Sequence, residues 1–377
     1  ITSFQKKVWD KLSKLKLLGI SAPTSAGKSF IILLKVIESI LEKDGNIIYI
    51  VPTLSLVAQV SADFNRQLKN FGIKNYRVAT TYNSTDLDGY RIYVMTQEKA
   101  ISAFSQSDQP YQNIRMLIVD EIQNIEKVSN EHDQRAKTLY DTLMEFRHTS
   151  NPDITIISGP RVEGLKQLGI DIFDENKADE EKTKDSPVAS ITYAISKTKN
   201  NYLFNQYTDI LEQPNRVPIS NDSIIGDYGL SQYREKFITY LSLFVKNLGE
   251  DSRNIIFSPT TAQARKTALE LAKKSESVNL DEKTKSLIEY LQETVHDEYD
   301  MCESIPKGFV YHHGKTPTHV RAVIERAVKD KLIPNVVCTT TLMQGVNLPA
   351  QNVILRNPDL AIRKRDGAKP KLTDYEI

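Results

Sequence analysis

The residues most suited to chemistry form a short segment near the start of the chain. The segment reads Ala22-Pro23-Thr24-Ser25-Ala26-Gly27-Lys28-Ser29. An apolar run at 17–20 precedes it and a helical pattern at 30–41 follows it, which is the strand–loop–helix context of a phosphate-binding loop. Turn N–H groups and a helix N-terminus together attract a polyphosphate. A Gly-Lys-Ser sequence alone could also be a surface turn, so the interpretation needs a second motif.

Three residues of this loop have side chains or backbone suited to a nucleoside triphosphate and its metal ion. Gly27 lets the backbone approach the phosphates closely, Lys28 reaches the β- and γ-phosphates, and the Ser29 hydroxyl can ligate Mg²⁺. Ala22 stands where the usual pattern has its first glycine.

An acidic pair follows a second apolar run. Residues 116–119 suit a strand that is covered on both faces of a parallel sheet, and they are followed by Asp120-Glu121-Ile122-Gln123. Open α/β sheets bind their ligands at the carboxyl ends of such strands. Asp120 would hold Mg²⁺ through water, and Glu121 would orient and deprotonate an attacking water. A solvated pair just past a strand is the simpler alternative, but together with the loop the pair predicts a nucleoside triphosphatase.

Short apolar strands alternate with amphipathic helices along the chain, which indicates the α/β class with parallel sheets. Candidate strands lie at 46–51, 90–95, 115–119 and 154–157, and again at 254–257, 308–311, 335–338 and 352–355. Between the two sets the pattern fails over 161–185, where the charged stretch 174–182 predicts a solvated loop. The predicted domains are a first lobe at 1–190 and a second lobe at 191–377, with one nucleotide clamped between them.

Length, charge and cysteine content limit the classes of protein. The 377 residues suggest about two domains. Lys+Arg 49 against Asp+Glu 48 leaves the chain nearly neutral, so any nucleic-acid site must be a local surface. Cys302 and Cys338 lie far apart and predict a cytoplasmic (intracellular) protein without disulfides or zinc. No apolar stretch approaches the roughly 20 residues of a membrane span, so no membrane partner is expected.

Further motifs give the chain a resemblance to superfamily 2 helicases, most closely to the superkiller-type (Ski-like) DExH group. The segments that carry it, besides the loop and the acidic pair, are Phe4-Gln5, Pro52-Thr53, Thr96-Gln97, Ser158-Gly159-Pro160, Ser258-Pro259-Thr260, Tyr311-His312-His313-Gly314, Thr339 and Gly345-Val346-Asn347-Leu348-Pro349-Ala350. Their order covers nearly the whole chain, and the last segment is the most discriminating. The resemblance implies two tandem RecA-like lobes, with ATP and Mg²⁺ as cofactors.

The resemblance also implies roles for individual residues. ATP would be bound by Gln5, Thr24, Ser25, Ala26, Gly27, Lys28, Ser29, Asp120, Gly345 and Asn347, with Mg²⁺ held by Ser29 and Asp120. Lys28, Glu121 and Gln123 would be catalytic. Nucleic acid would be contacted by Pro52, Thr53, Thr96, Gln97, Thr260, His313 and Thr339. Small hydroxyl groups and helix N-termini suit phosphates because they donate hydrogen bonds without reading base edges.

Three departures from the family pattern bear on the mechanism. Gln123 replaces a common histidine, although either side chain can hydrogen-bond to the second lobe or to motif III. Ser158-Gly159-Pro160 replaces the usual Ser-Ala-Thr of motif III, which puts the coupling between hydrolysis and strand movement in question. The chain ends at Ile377, before the Gly-Arg-Ala-Gly-Arg segment of motif VI that supplies an arginine finger. The fragment alone is therefore expected to bind ATP and to hydrolyse it poorly.

The predicted function is the motor core of a helicase or translocase that hydrolyses ATP to move along single-stranded nucleic acid and unwind duplex. Its partner is single-stranded or partly duplex nucleic acid, with DNA slightly favoured over RNA. Two alternatives stay open: a duplex translocase that does not separate strands, and an ATP-gated switch that binds nucleic acid and controls an effector protein. Helicases of this group also occur in antiviral defence systems. The basic run 363–371 is either a strand-separating hairpin or a solvated turn.

Overall fold

Runs of β-branched and aromatic residues form the strands of the first half of the chain, and amphipathic helices connect them. The computed structural model describes residues 1–23, 26–84, 89–107, 109–129, 134–160, 162–184, 191–197, 202–208, 211, 213–219, 235–277, 280–343 and 348–355. The chain divides into two compact units, Ile1–Ala189 and Ser190–Ile377.

The first unit has the following elements within its described residues. They are α1 (Ser3–Leu12), β1 (Leu17–Ser21), α2 (Lys28–Glu42), β2 (Asn46–Ile50), α3 (Leu54–Asn70), β3 (Tyr76–Ala79), β4 (Tyr90–Met95), α4 (Gln97–Phe104), β5 (Ile114–Val119), the 3₁₀ segment Ile122–Ser129, α5 (Gln134–Thr149), β6 (Ile154–Gly159), α6 (Leu165–Phe173) and β7 (Ala178–Lys182). The strands form one sheet in the order β3-β4-β2-β5-β6-β1-β7, and each pair of neighbours is parallel.

Strand β2 shows why this sheet is covered on both faces. Ile47 and Tyr49 belong to a core with α1, α2 and α3, whereas Ile48 and Ile50 belong to a second core with α4, α5 and α6. Successive side chains of a strand point to opposite faces, so a strand that is apolar throughout needs helices on each side. The first unit is therefore a three-layer α/β fold.

The prediction of a charged, solvated loop over 161–185 is wrong. Helix α6 and strand β7 occupy this region, and β7 extends the sheet by pairing in parallel with β1. The acidic side chains of β7 are satisfied by a helix far away in sequence, since Lys11 Nζ lies 2.9 Å from both Asp179 Oδ2 and Glu181 Oε2. Charged residues are common on edge strands, where they discourage pairing with another chain.

The second unit has a parallel sheet and a separate antiparallel sheet. Its described elements are β8 (Ile191–Lys197), β9 (Tyr202–Thr208), β10 (Asn215–Ile219), α7 (Glu235–Asn247), β11 (Asn254–Phe257), α8 (Thr261–Lys273), α9 (Glu282–Thr294), α10 (Met301–Ser304), the 3₁₀ segment Ile305–Lys307, β12 (Phe309–His312), α11 (Thr318–Lys329), β13 (Asn335–Cys338), α12 (Thr340–Met343) and β14 (Asn352–Ile354). The parallel sheet has the order β12-β13-β11-β14, and α7, α8, α9 and α11 pack onto its core.

The predicted fold class is confirmed. Both units are α/β, with mostly parallel sheets flanked by helices, as two RecA-like lobes would be. The antiparallel sheet β10-β9-β8 is additional and was not predicted. Within the described part of the chain, no helix has the length and apolar character needed to cross a bilayer.

A close approach between β1 and α6 gives a stability prediction. A Cβ atom on Gly19 would lie 2.5 Å from Leu165 Cβ and 3.2 Å from the Leu165 carbonyl carbon. Because a helix backbone cannot retreat as a flexible side chain can, Gly19→Ala should lower the free energy of unfolding by about 1–3 kcal/mol in denaturant unfolding. Gly72→Asn is the control: Gly72 has φ +67° and no described atom within 4 Å of an added Cβ. Unchanged stability of Gly19→Ala would contradict this packing.

Candidate functional site

The order of the central strands brings the two sequence motifs to one edge of the first unit. Strand β6 lies between β5 and β1, and all three run in the same direction. The acidic pair follows β5 and the Gly-Lys-Ser loop follows β1, so both begin at the carboxyl ends of the strands. The Ala22 N–H donates to the Gly159 carbonyl at 3.3 Å, which ties the loop to the end of β6.

Lys28 is the first residue of α2 and is buried. Gly27 before it is left-handed with φ 78°, a conformation that glycine adopts without strain. The Lys28 Nζ donates to the Ala22 carbonyl oxygen at 2.8 Å. Burial lowers the pKa of Lys28, while the negative charges of Asp120 and Glu121 act in the opposite direction. The lysine and the acidic pair are therefore electrostatic neighbours.

Two buried hydroxyl groups hold the carboxylate of Asp120. Ser158 Oγ donates to Asp120 Oδ1 at 2.5 Å, and Tyr49 Oη donates to Asp120 Oδ2 at 3.4 Å. These residues come from β6 and β2, the strands on either side of β5. Asp120 is thus oriented by both neighbouring strands.

Glu121 lies at the turn out of β5 in an unusual backbone conformation, with φ 57°. Burial and the adjacent Asp120 raise the pKa of Glu121, whereas Lys28 and a hydrogen bond from Gln123 lower it. In that hydrogen bond Gln123 Nε2 donates to Glu121 Oε2 at 2.5 Å. A carboxylate with a raised pKa is suited to accept a proton near neutral pH.

Gln5 connects the first helix to the phosphate loop. Thr2 and Gln5 form a capping box at the start of α1, in which Gln5 Oε1 accepts from the Thr2 N–H at 3.0 Å. The other end of the same amide, Nε2, donates to the Gly27 carbonyl at 3.4 Å. The glutamine expected to bind ATP therefore contacts the loop that would hold the phosphates.

The remaining predicted ATP-binding residues differ in what the structure describes. Ala26 is buried in the core of the first unit, and Ser29 is exposed at the second position of α2. Thr24, Ser25, Gly345 and Asn347 lie outside the described residues, as does the basic run 363–371. The roles assigned to all of these residues stay predictions.

Two predicted nucleic-acid contacts have the same construction, one in each unit. Thr53 and Thr260 both follow a proline and a buried strand, and both are the N-cap residue of a helix. Thr53 Oγ1 accepts from the Leu56 N–H at 3.2 Å, and Thr260 Oγ1 accepts from the Gln263 N–H at 3.1 Å. A hydroxyl group that accepts in this way still has its own hydrogen to donate.

The other predicted contacts are less accessible. Thr96, Gln97, His313 and Thr339 are buried, whereas Pro52 is half-buried. Gln97 Nε2 donates to Glu98 Oε1 at 3.1 Å, and His313 Nδ1 lies 3.0 Å from Thr316 Oγ1. Their side chains are engaged within the protein, so their contact with nucleic acid stays a prediction.

Two residues that the sequence did not single out take part in these sites. Tyr49 orients Asp120, as described above. Arg135, at the start of α5, donates through Nε to Glu98 Oε1 at 2.8 Å and through Nη2 to the Pro52 carbonyl. It thereby connects the turn before α3 with the first turn of α4. Because Arg135 and Pro52 are 83 residues apart, no local sequence pattern indicates their contact.

The donor set fits a magnesium ion that arrives with a nucleotide. Among the described residues, no group of three or more His, Cys, Asp or Glu side chains could hold a metal ion. Magnesium at a nucleotide site needs only one or two protein oxygen ligands, because phosphates and waters supply the rest. The Asp120 carboxylate, acting through water, and the Ser29 hydroxyl would supply oxygens of this kind.

The first half of the chain is similar to a known protein family. Residues 2–176 match the family described as DEAD/DEAH box helicase. The match begins in α1 and ends before β7, so it includes the phosphate loop and the acidic pair. Together with the relatives, it supports a superfamily 2 helicase.

Curated relatives extend the similarity over both units. The chain is 24% identical over 343 residues to the ATP-dependent DNA helicase Hel308 of Pyrococcus horikoshii, which covers 90% of this chain and 42% of the relative. It is 25% identical over 375 residues to Hel308 of Thermoplasma acidophilum, covering 99% and 48%. It is 26% identical over 408 aligned positions to the DExH-box ATP-dependent RNA helicase DExH12 of Arabidopsis thaliana, covering 99% and 17%. The chain thus spans less than half the length of these relatives.

The pKa of Glu121 gives a prediction about stability. A carboxyl whose pKa is raised on folding binds its proton more tightly in the folded chain, so its contribution to stability is present at low pH and lost as pH rises through the folded value. Ionised Glu121 is therefore destabilising at neutral pH. Glu121→Gln should raise the melting temperature at about pH 8 and give a smaller gain at about pH 5.

The exposed Glu250 supplies the matched control, because Glu250→Gln removes a charge without changing a buried site. It should leave the melting temperature nearly unchanged at both pH values. A fall in the melting temperature of Glu121→Gln at the higher pH would contradict the electrostatic account.

Proposed function

We propose that this chain is the ATP-dependent motor core of a nucleic-acid helicase or translocase. The observation that carries the proposal is the position of Lys28, Asp120 and Glu121, which lie together at the sheet edge where β1, β6 and β5 end. The helicase family match over this same unit supports it. A buried cation beside two carboxylates is costly as a purely structural ion pair. The same group is suited to binding a triphosphate together with a divalent ion.

Different residues of the first unit have different roles in the proposed hydrolysis of ATP. The N–H groups at the start of α2 and Lys28 bind the phosphates. Glu121 accepts a proton from water, whose oxygen attacks the γ-phosphorus as the bond to the β–γ bridging oxygen breaks, leaving ADP and phosphate. Mg²⁺, held by Asp120 and Ser29, would neutralise charge on the phosphates. Gly345 and Asn347 stay proposed ATP-binding residues.

Nucleic acid is proposed to bind at the N-termini of α3 and α8. The free hydroxyl hydrogens of Thr53 and Thr260 and the positive ends of these helices suit phosphate oxygens. Such contacts are independent of base sequence, as movement along a strand requires. Repeated gripping and release by two similar units would then move the protein along one strand.

The relatives bear on the substrate only through their class. Hel308 is by its name a DNA helicase and DExH12 an RNA helicase. We propose single-stranded or partly duplex nucleic acid as the partner, with DNA favoured because Hel308 proteins are matched over more of their own length. Three finer points stay predictions: membership of the Ski-like group, a cytoplasmic site of action and a role in antiviral defence.

Removal of the phosphate-binding lysine tests the motor directly. Lys28→Ala in the complete protein should lower ATP turnover stimulated by nucleic acid by about 10²–10³, because a charge aimed at the transferring phosphate is lost. The exposed Lys14 gives a matched control, and Lys14→Ala should keep its turnover. Turnover is measured with single-stranded DNA and RNA of the same sequence.

Strand displacement and triplex displacement, measured on the same preparation, separate unwinding from translocation along duplex. Unaltered strand displacement by Lys28→Ala would refute the proposed mechanism. Partner release on ATP binding, without movement of either substrate, would favour the ATP-gated switch.

Substitution of the two N-cap threonines separates phosphate contact from helix capping. Aspartate caps a helix as well as threonine does, but it lacks the donor hydrogen and repels phosphate. Thr53→Asp and Thr260→Asp should each weaken single-strand binding about tenfold with little loss of stability. Serine at the same positions should bind like wild type, in a fluorescence anisotropy titration at constant salt. Equal affinities of the aspartate and serine variants would exclude these threonines from the interface.

A further inference from the structure

The side chain of Gln123 touches the proposed general base directly. It lies in the 3₁₀ segment that follows the acidic pair, and its Nε2 donates to Glu121 Oε2 at 2.5 Å. Glu121 has a left-handed backbone with φ 57°, so the chain reverses just where its carboxylate must be aimed. The amide of Gln123 fixes the direction of that carboxylate.

The other end of the same amide is packed against Gly159. The Gln123 Oε1 atom is buried and has no hydrogen-bond partner among the described residues. A Cβ atom built on Gly159 would lie only 2.8 Å from this oxygen and 2.8 Å from Val162 Cγ2. Any residue larger than glycine would therefore press on the Gln123 side chain.

The backbone of Gly159 does not itself require glycine. Its φ lies outside the left-handed region, since the positive-φ glycines are at other positions. Gly159 is the last residue of β6 and follows Ser158, which holds Asp120. The absence of a side chain at this position provides space, not conformational freedom.

We propose that Gln123 is a positioning residue for Glu121 and that Gly159 supplies the space in which its amide sits. We call Gln123 and Gly159 together the amide seat. This inference rests on the proposed function, because it assigns the amide seat to the step in which Glu121 takes a proton from water. It also connects two departures of this chain from its helicase resemblance, because the amide of Gln123 occupies the space that the missing side chain of Gly159 leaves.

The test compares Gln123→Ala, Gly159→Ala and the double variant in the complete protein, with ATP turnover stimulated by single-stranded DNA. Each single variant should lower the maximal rate about tenfold, the effect of losing one hydrogen bond to a charged group. The affinity for ATP should change less than about twofold, because the phosphate-binding residues are intact.

The double variant distinguishes a shared mechanism from two separate defects. If Gly159→Ala acts by displacing the Gln123 amide, the double variant should be no slower than either single variant. Multiplied losses would overturn the proposal, as would a wild-type rate in Gly159→Ala. Melting temperatures of all variants are measured alongside.

Val162 provides the steric control, because the added methyl group would also press on it. Val162→Ala in the Gly159→Ala background relieves that contact but leaves the Gln123 contact in place. The Gly159→Ala/Val162→Ala variant should stay slow. Recovery of the wild-type rate would assign the demand for glycine to Val162 and overturn the proposal.

Glu121→Gln separates failure of this inference from failure of the proposed function. If Glu121→Gln still hydrolyses ATP at the wild-type rate, the proposed role of Glu121 as the general base fails. If Glu121→Gln is inactive while Gln123→Ala and Gly159→Ala behave like wild type, the proposed function stands and the amide seat is refuted.

Discussion

The arrangement of this protein depends on keeping the buried Lys28 and Asp120 and the partly buried Glu121 close together at the end of a sheet. Removal from water disfavours the charges of Lys28 and Glu121, which is the main reason why the pKa of Lys28 is lowered and the pKa of Glu121 is raised. Attraction between Lys28 and the two carboxylates offsets part of that cost, whereas repulsion between the carboxylates adds to it. Fixed dipoles offset the remaining cost of these charges. The Ala22 carbonyl accepts from Lys28, the hydroxyls of Ser158 and Tyr49 donate to Asp120, and the amide of Gln123 donates to Glu121. Preorganised polar groups of this kind are what phosphoryl transfer requires.

The sheet is what makes this preorganisation possible. Four neighbouring parallel strands, β2, β5, β6 and β1, each contribute to the cluster or to the loop beside it. Because the strands are covered on both faces, their ends cannot shift without disturbing two cores at once. The close packing of α6 on Gly19 and the capping box that brings Gln5 onto Gly27 extend the same rigidity outward. Stability and site geometry are therefore supplied by the same residues.

The parts of the structure that were predictable are those with a local signal. The phosphate loop and the strand before Asp120 have characteristic spacing or continuous apolar runs, and the helices of the second unit have clear periodicity. Strand β7 was missed because its charges find their partner in Lys11, far away in sequence. The strand β8 was missed although Ile191, Tyr193 and Ile195 alternate with Thr192 and Ala194, a period of two that does predict a strand.

The site residues that sequence reasoning missed share one property, which is that their partners come from other strands or helices. The sequence around Tyr49 indicates only a core aromatic residue, whereas its hydroxyl donates to Asp120. The sequence around Arg135 indicates only a solvated helix start, whereas its guanidinium donates to the Pro52 carbonyl and to Glu98. Gly159 could be recognised as a departure from a pattern, but its reason is visible only in the distance to Gln123. Such contacts follow from topology and not from spacing along the chain.

The most direct test is hydrogen–deuterium exchange of the complete protein with and without ATP and Mg²⁺. The central claim is that the segments around Lys28 and Asp120 bind one triphosphate, so the nucleotide should slow exchange in 22–33 and in 116–124 together, and Mg²⁺ should increase the effect. Slower exchange in only one of these segments, or in neither while ATP is bound, would contradict the claim.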